Sequence, residues 1–296
     1  MNILLVMNDY EGDNAFSAPV RETVNELRRM GLRIGVLTGS SRTDRDEQEN
    51  GDLFALPFGR TVRIRAGRGE ERYRLALVDP DRVSRAVAWA DLVHIEEAGK
   101  LCTQAARAAA ARDLPVTGSF RLYPESIRDL AHFGRTMNGM HMEQYRDYTY
   151  SYCEAIRCPS EHVYRRLKHY NFESRLAVME GGISTEVLVE SEKPFVYDEP
   201  YLADPAPLVQ MFAGGDIPVI ADYPSSAAAE YALTPRNRYA PGHDRRRDRC
   251  LRYWAQQEGE RKAISLLYRQ KAMQLSSRNL ARRLLGMMRD VYYGRG

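Results

Sequence analysis

The stretch that most restricts the fold is Asp91–Ser126, DLVHIEEAGKLCTQAARAAAARDLPVTGSFRLYPES. Two short apolar runs, Leu92–Ile95 and Pro115–Phe120, flank an alanine-rich helical segment. Brief buried runs alternating with helices are the mark of parallel strands joined by right-handed crossovers. Each run stops at a polar cluster: Glu96 and Glu97 after the first, then Arg121, Tyr123 and Glu125 after the second. Ligands of open α/β sheets bind beyond the carboxyl ends of the strands. If the two runs are neighbouring strands, both clusters point into one shared crevice.

The rest of the chain extends this pattern. Ile3–Met7 reads as a buried strand ending at Asn8 and Asp9, and Gly12 sits in the loop that follows. Ser17 and Pro19 start a helix whose apolar positions Val20, Val24, Leu27 and Met30 recur at helical spacing, and Gly31 stops it. LRIGVLTG is a second strand. The unit is βαβ, yet its loop lacks G-x-G-x-x-G, so no nicotinamide fingerprint is present. Leu53–Pro57 and Val62–Ile64 read as short strands. The arginines from Arg60 to Arg74, Arg68 among them, read as a solvated hairpin or as a positively charged rim. Ala155–Pro159 and Leu176–Met179 are further strands; Ser160 caps the helix Glu161–Tyr170, and Gly181-Gly182 follow the last strand. Residues 1–185 thus make one doubly wound lobe of about six strands. Residues 186–206, interrupted by Pro194, Pro200 and Pro205, read as a linker. A second, shorter α/β lobe spans 207–296, with a helix Pro207–Ala213, a strand Ile217–Ala221 and a helical run Arg245–Ala272. In the final helix, Arg278–Tyr292, Leu280, Leu284, Met287, Met288 and Val291 share one face, flanked by Arg278, Arg282, Arg283 and Arg289. Such a helix packs on the protein or, as a basic amphipathic helix, touches an anionic membrane.

At 296 residues there is enough chain for two modest domains. No apolar run approaches the ~20 residues that span a bilayer, and Ile3–Met7 is too short for a signal peptide, which points to a cytoplasmic protein. Cys102, Cys153, Cys158 and Cys250 show neither C-x-x-C spacing nor a nearby histidine pair, as expected of buried reduced thiols rather than zinc ligands or disulfides. His132 and His141 read as packing or surface residues. From Arg236 onward sixteen Lys/Arg face five Asp/Glu, so a basic tail joins an acidic body and favours an anionic partner. The tail carries no interleaved aromatic platforms, which argues against nucleic acid.

In order along the chain, NILLVMNDY with ELRRMGLRIGVLTG, ADLVHIEEAG, LPVTGSFRLYPESI, IRCPSEHVYRRLKHY and LAVMEGGIST resemble the acceptor lobe of family 4-like glycosyltransferases. GGDIPVIADYPSSAAAEYAL is similar to part of that family's donor lobe. SSRNLARRLLGMMRDVY resembles its last helix, which crosses back onto the first lobe. The resemblance implies the GT-B architecture, two facing Rossmann-type lobes. It implies retaining, metal-independent transfer of a hexose from a nucleotide sugar to a saccharide or lipid acceptor in cell-envelope synthesis, the nucleotide sugar being a substrate rather than a cofactor. Leaving diphosphates in such enzymes are stabilised by cations and helix N-termini. The residues placed for this are Arg121 and Glu125 as catalytic groups. Asn8, Asp9, Gly12, Glu96, Glu97, Tyr123, Ser160, Glu161, Gly181, Gly182 and Gln210 are placed as substrate contacts.

Departures are concentrated on the donor side. Most of the first half of the donor lobe, with its diphosphate-gripping Arg/Lys motif, has no counterpart. The family's E-x7-E pair falls on Leu202 and Gln210, with Glu199 and Asp204 nearby, and its F-H histidine is Arg121. These losses support an alternative: a non-catalytic relative that keeps the acceptor cleft and serves an active partner glycosyltransferase.

Overall fold

A computed structural model describes residues 1–41, 53–65, 69–127, 134–185, 188 and 190–294, with only the backbone of 134–138 considered. The charged loop expected at 42–51, Arg68 and His132 lie outside the described residues.

An eight-stranded sheet forms the first lobe, in the order β4-β3-β2-β1-β5-β6-β7-β8. Its parallel part is β2 (Arg33–Ser40), β1 (Asn2–Val6), β5 (Leu92–Ile95), β6 (Val116–Ser119), β7 (Ala155–Cys158) and β8 (Arg175–Val178). β1 sits centrally and sets the register, Leu4 lying between Gly35 and Val93. The two short strands expected at 53–64 are one 13-residue strand, β3 (Leu53–Arg65). Its first half pairs with β2 in parallel; past an irregularity between Phe58 and Thr61 it forms an antiparallel hairpin with β4 (Glu70–Ala76). Val62 and Ile64 face inward while Arg63 points out to Glu70, as in a solvated hairpin, but Arg74 turns back to stack on Phe58 and pair with buried Asp9.

Helices α1 (Ala18–Arg29), α2 (Pro80–Trp89), α3 (Lys100–Ala110), α4 (Gly134–Tyr148) and α5 (Glu161–His169) cover the sheet. Two starts are fixed by caps: Asp79 accepts from the Asp81 and Arg82 amides, and Ser160 accepts from that of Val163. All four cysteines are buried free thiols.

The second lobe is small: a parallel sheet of β9 (Pro194–Tyr197), β10 (Ile217–Ala221) and β11 (Arg238–Tyr239). β9 lies within the stretch read as a linker; its prolines mask an edge strand, where a missing amide is tolerated. α6 (Ala206–Phe212), α7 (Asp244–Gln256) and α8 (Glu258–Gln274) pack on it around Phe212, Tyr231 and Tyr268. Among the described residues no helix is long and apolar enough to cross a membrane.

The last helix, α9 (Ser277–Tyr293), capped by Ser276, returns to the first lobe and lies along α1. Leu280, Leu284, Met287, Met288 and Val291 are all buried, in one cluster with Val20, Val24 and Leu27. The apolar face is therefore covered by protein. Gly181 has φ +114, and a Cβ there would stand 2.7 Å from the Leu275 carbonyl oxygen. Only glycine permits this close approach, which brings the Gly182 amide to donate to Leu275 at 3.0 Å and binds the lobe junction to the start of α9.

Candidate functional site

At the carboxyl ends of β5 and β6 the polar residues gather as expected, but not in one crevice. Successive residues leave a strand on opposite sides, so Glu96 and Glu97 part company, and three separate polar clusters form.

In the first, Arg121 is 3 % exposed and bonds through Nε to Asp204 Oδ2 at 2.5 Å. It also donates to the Phe16 carbonyl at 2.9 Å and stacks over the Phe16 ring. Arg157 sits beside it, with Nη1 3.7 Å from Asp204, while its Nε and Nη2 donate to the carbonyls of Met179 and Gly181. Glu96 faces Arg121 at 3.7 Å and His94 at 3.4 Å. The His94 ring is held between the hydroxyls of Thr117, at 2.9 Å, and Ser119, at 3.0 Å. Burial alone would raise the Glu96 pKa; the hydrogen bond and charge of His94, with the charges of Arg121 and Arg157, outweigh it and bring it down to about 2. α9 closes over this cluster through Leu280 and Leu284, and the residual cavity is about 10 Å³. That is room for a single water at most. The crevice expected to hold a ligand is filled here by Asp204, from the second lobe's loop between β9 and α6.

The second cluster belongs to the β1 loop. The Asn8 amide and Nδ2 and the Tyr73 hydroxyl all donate to Glu97 Oε1, at 2.7, 2.9 and 2.5 Å. Burial nevertheless keeps the Glu97 pKa above the usual carboxylate range. Asp9 pairs with Arg74 at 2.8 Å and accepts its backbone amide. Gly12 closes the turn so tightly that a Cβ would meet the side chains of Asn14 and Asp9.

The third cluster lies toward α5. Arg166 binds Glu125 and stacks on the Tyr123 ring. The Tyr123 hydroxyl is 2.8 Å from His162 Nδ1, and His162 Nε2 is 3.0 Å from the Pro224 carbonyl. A carbonyl only accepts, so Nε2 carries the proton and Nδ1 accepts from Tyr123; burial lowers the His162 pKa and favours this neutral tautomer. Ser160, besides capping α5, reaches the Ala203 carbonyl at 3.4 Å, whereas Glu161 is exposed in the first turn. Glu125 and Arg121, both placed as catalytic, are therefore in different clusters.

The open space lies next to the first cluster. A cavity of about 690 Å³ between the lobes is lined by Ala15, Ala18, Pro19, Glu22, Glu71, Gly182, Ser184, Pro207, Gln210 and Met211. Pro19 lines both it and the sealed crevice. Gln210 is in the wall, its side-chain amide paired with the backbone of Ser184 at 2.9 and 3.3 Å. Its lining carries two carboxylates and no Lys or Arg. Sequence reasoning missed His94, Arg157 and Tyr73. A histidine inside LVHI and an arginine inside AIRC, each in a fully buried strand, are the polar intrusions that could have marked the first two.

A sequence profile of Glycosyltransferase Family 4 matches residues 20–187 of this chain. The chain belongs to Glycosyltransferase Family 4. The matched part of this family 4 chain runs from within α1 to the lobe junction and holds seven of the eight strands of the first lobe; the central strand β1 precedes it. Solved structures extend the likeness to both lobes. Sucrose-phosphate synthase from Thermosynechococcus elongatus superposes with a TM-score of 0.70, at 7% identity, over 99% of this chain and 100% of that one. The Anabaena protein HepE in complex with UDP and glucose gives 0.64 at 10% identity, covering 97% and 99% of the two chains. At such identities the likeness is one of fold, and the fold is GT-B. No match is found among curated proteins.

Proposed function

We propose that this family 4 chain is a metal-independent, retaining glycosyltransferase of cell-envelope synthesis. It passes a hexose from a nucleotide sugar to a saccharide or lipid acceptor in the interlobe cleft. The observation that carries the reading is the cavity of about 690 Å³ walled by both lobes, at the carboxyl edge of the first-lobe sheet. HepE, whose fold this chain shares, is a complex with UDP and glucose, which supports a nucleotide sugar as the ligand class.

The chemistry sets a requirement. Departure of a nucleoside diphosphate needs positive charge at the leaving oxygens. Arg121 and Arg157 lie in the sealed crevice that shares Pro19 with the cavity, and both face Asp204. Donor binding would therefore take Asp204 away from Arg121, leaving the guanidinium to the diphosphate. Glu22 and Glu71 in the cavity wall suit sugar hydroxyls as acceptors and repel phosphate. A thermal-shift screen against UDP- and GDP-sugars, followed by a transfer assay, tests the reading. At one hundred times Kd a ligand adds about 2.7 kcal/mol, a rise of several degrees for a chain of this size. No shift and no turnover across the panel would contradict it.

The absence of any Lys or Arg from the cavity lining favours a second reading. A non-catalytic relative would bind acceptor in the same cavity and co-purify with an active partner glycosyltransferase. Acceptor-induced stabilisation without any nucleotide-sugar effect distinguishes it.

A further inference from the structure

A second cavity, of about 400 Å³, runs between α1 and α9 and is lined by Glu22, Glu26, Arg29, Met30, Ser184, Thr185, Ser277, Arg278 and Arg282. It shares Glu22 and Ser184 with the interlobe cavity, so the two form one groove with ends of opposite character. Ala18, Pro207 and Met211 make the interlobe end largely apolar. The other end carries Arg278 and Arg282, four residues apart and so on one side of α9's first turns. Glu26 is tied to Arg29 at 2.5 Å. Arg278 and Arg282 have no carboxylate partner among the described residues, unlike Arg121, Arg157 and Arg166, which are all paired. Three hydroxyl-bearing residues, Ser184, Thr185 and Ser277, line the space beside them.

We propose that Arg278 and Arg282 form a site for a phosphate monoester borne by the acceptor. The phosphate lies at the basic end of the groove, and the acceptor's body runs past Glu22 into the interlobe cavity. Ser277 spends its hydroxyl proton on the Ile183 carbonyl, but two guanidiniums with the hydroxyls of Ser184 and Thr185 match a phosphate, which takes several charge-assisted hydrogen bonds at once. Glu22, at the junction of the two cavities, accepts from sugar hydroxyls. This deepens the acceptor half of the glycosyl-transfer reading and rests on it. The phosphate has two sources of the same chemistry, a hexose phosphate or a phosphorylated lipid headgroup.

Direct binding to the full chain tests this without turnover. Calorimetric titration compares glucose 6-phosphate with glucose, and co-sedimentation compares phosphatidylcholine vesicles with and without phosphatidic acid. In one of the two arms the phosphate should tighten binding roughly tenfold or more. The double variant Arg278→Gln/Arg282→Gln should lose that gain, and Arg278→Lys/Arg282→Lys should keep part of it. Both side chains are exposed, so the melting temperature should not change. A gain only in the soluble arm assigns a sugar phosphate, and one only in the vesicle arm assigns a headgroup. No phosphate-dependent gain in either arm, or a gain that survives the glutamine variant, would overturn the proposal. Nucleotide-sugar shifts, read separately on the same variants, report on the donor reading alone.

Discussion

At Asp204 one carboxylate faces two buried guanidiniums, and the whole cluster has a cavity of about 10 Å³ to relax into. Removing one partner of a buried ion pair typically costs 3–5 kcal/mol, because the remaining charges stay buried. Asp204→Ala should therefore lower unfolding stability by about 3–5 kcal/mol in denaturant melts. Asp204→Asn, which keeps shape but not charge, should cost less and should tighten UDP binding, since Arg121 would lose its nearer internal anion and keep only Glu96 at 3.7 Å. Unchanged or weaker UDP binding would separate Arg121 from the donor. Two carboxyl groups give opposite pH signatures. Glu96, brought down to about 2, contributes stability that is complete above its unfolded value near 4.5 and is lost as pH falls toward 2. Glu199 is raised to about 7 by burial, so its contribution is complete below about 4.5 and is lost as pH rises through 7. Glu199→Gln should then stabilise the protein by roughly 1–3 kcal/mol at pH 8 and have little effect at pH 4. At this scale the sequence showed strand-end residues but not their partners. Alternation across the sheet sends Glu96 and Glu97 apart, and Arg121 meets Asp204 from 83 residues away. No local pattern encodes that pairing.

Among the elements, α9 was the most legible and is the most informative. Its apolar residues repeat at three- and four-residue spacing, so the buried face was visible in advance, and α1 offered a matching face. Leu284→Ala should cost about 2–5 kcal/mol, as for other large-to-small core changes, and should loosen the lobe junction with it. Ser276→Ala, which removes the cap accepting from the Asn279 amide, should cost about 1 kcal/mol. Amide hydrogen exchange along 277–293 checks both. Other elements were hidden for identifiable reasons. Pro57-Phe58-Gly59 looks like a turn between two strands, yet β3 continues through it with only an irregularity of register. Pro194 begins β9, and its missing amide disguises an edge strand as a linker. The helical run at 245–272 is divided at Gln257, which leaves helical geometry with φ −93 and ψ 77; the periodicity on either side gave no warning.

For the molecule as a whole, the family resemblance implied the two-lobed GT-B architecture and the returning helix, and the structure has both. It did not imply the closed cleft. Closure rests on bonds between distant segments: Arg121 to Asp204, Ser126 to the Tyr201 carbonyl, His162 to the Pro224 carbonyl, Arg165 to Glu230 and Tyr231 to Glu180. Together they fix the second lobe against the ends of the first-lobe strands and leave the cavity beside Gly182 and Gln210 as the space open to a ligand at the lobe interface. The central claim is that a nucleotide sugar occupies this space and draws on Arg121. Hydrogen–deuterium exchange with and without a saturating UDP- or GDP-sugar tests it most directly. The account predicts slower exchange at 15–22, 182–184 and 207–211, which line the cavity, and faster exchange around Asp204 as its bond to Arg121 is released. Unchanged exchange in these segments with every nucleotide sugar, or protection confined to surfaces away from the cleft, would contradict it.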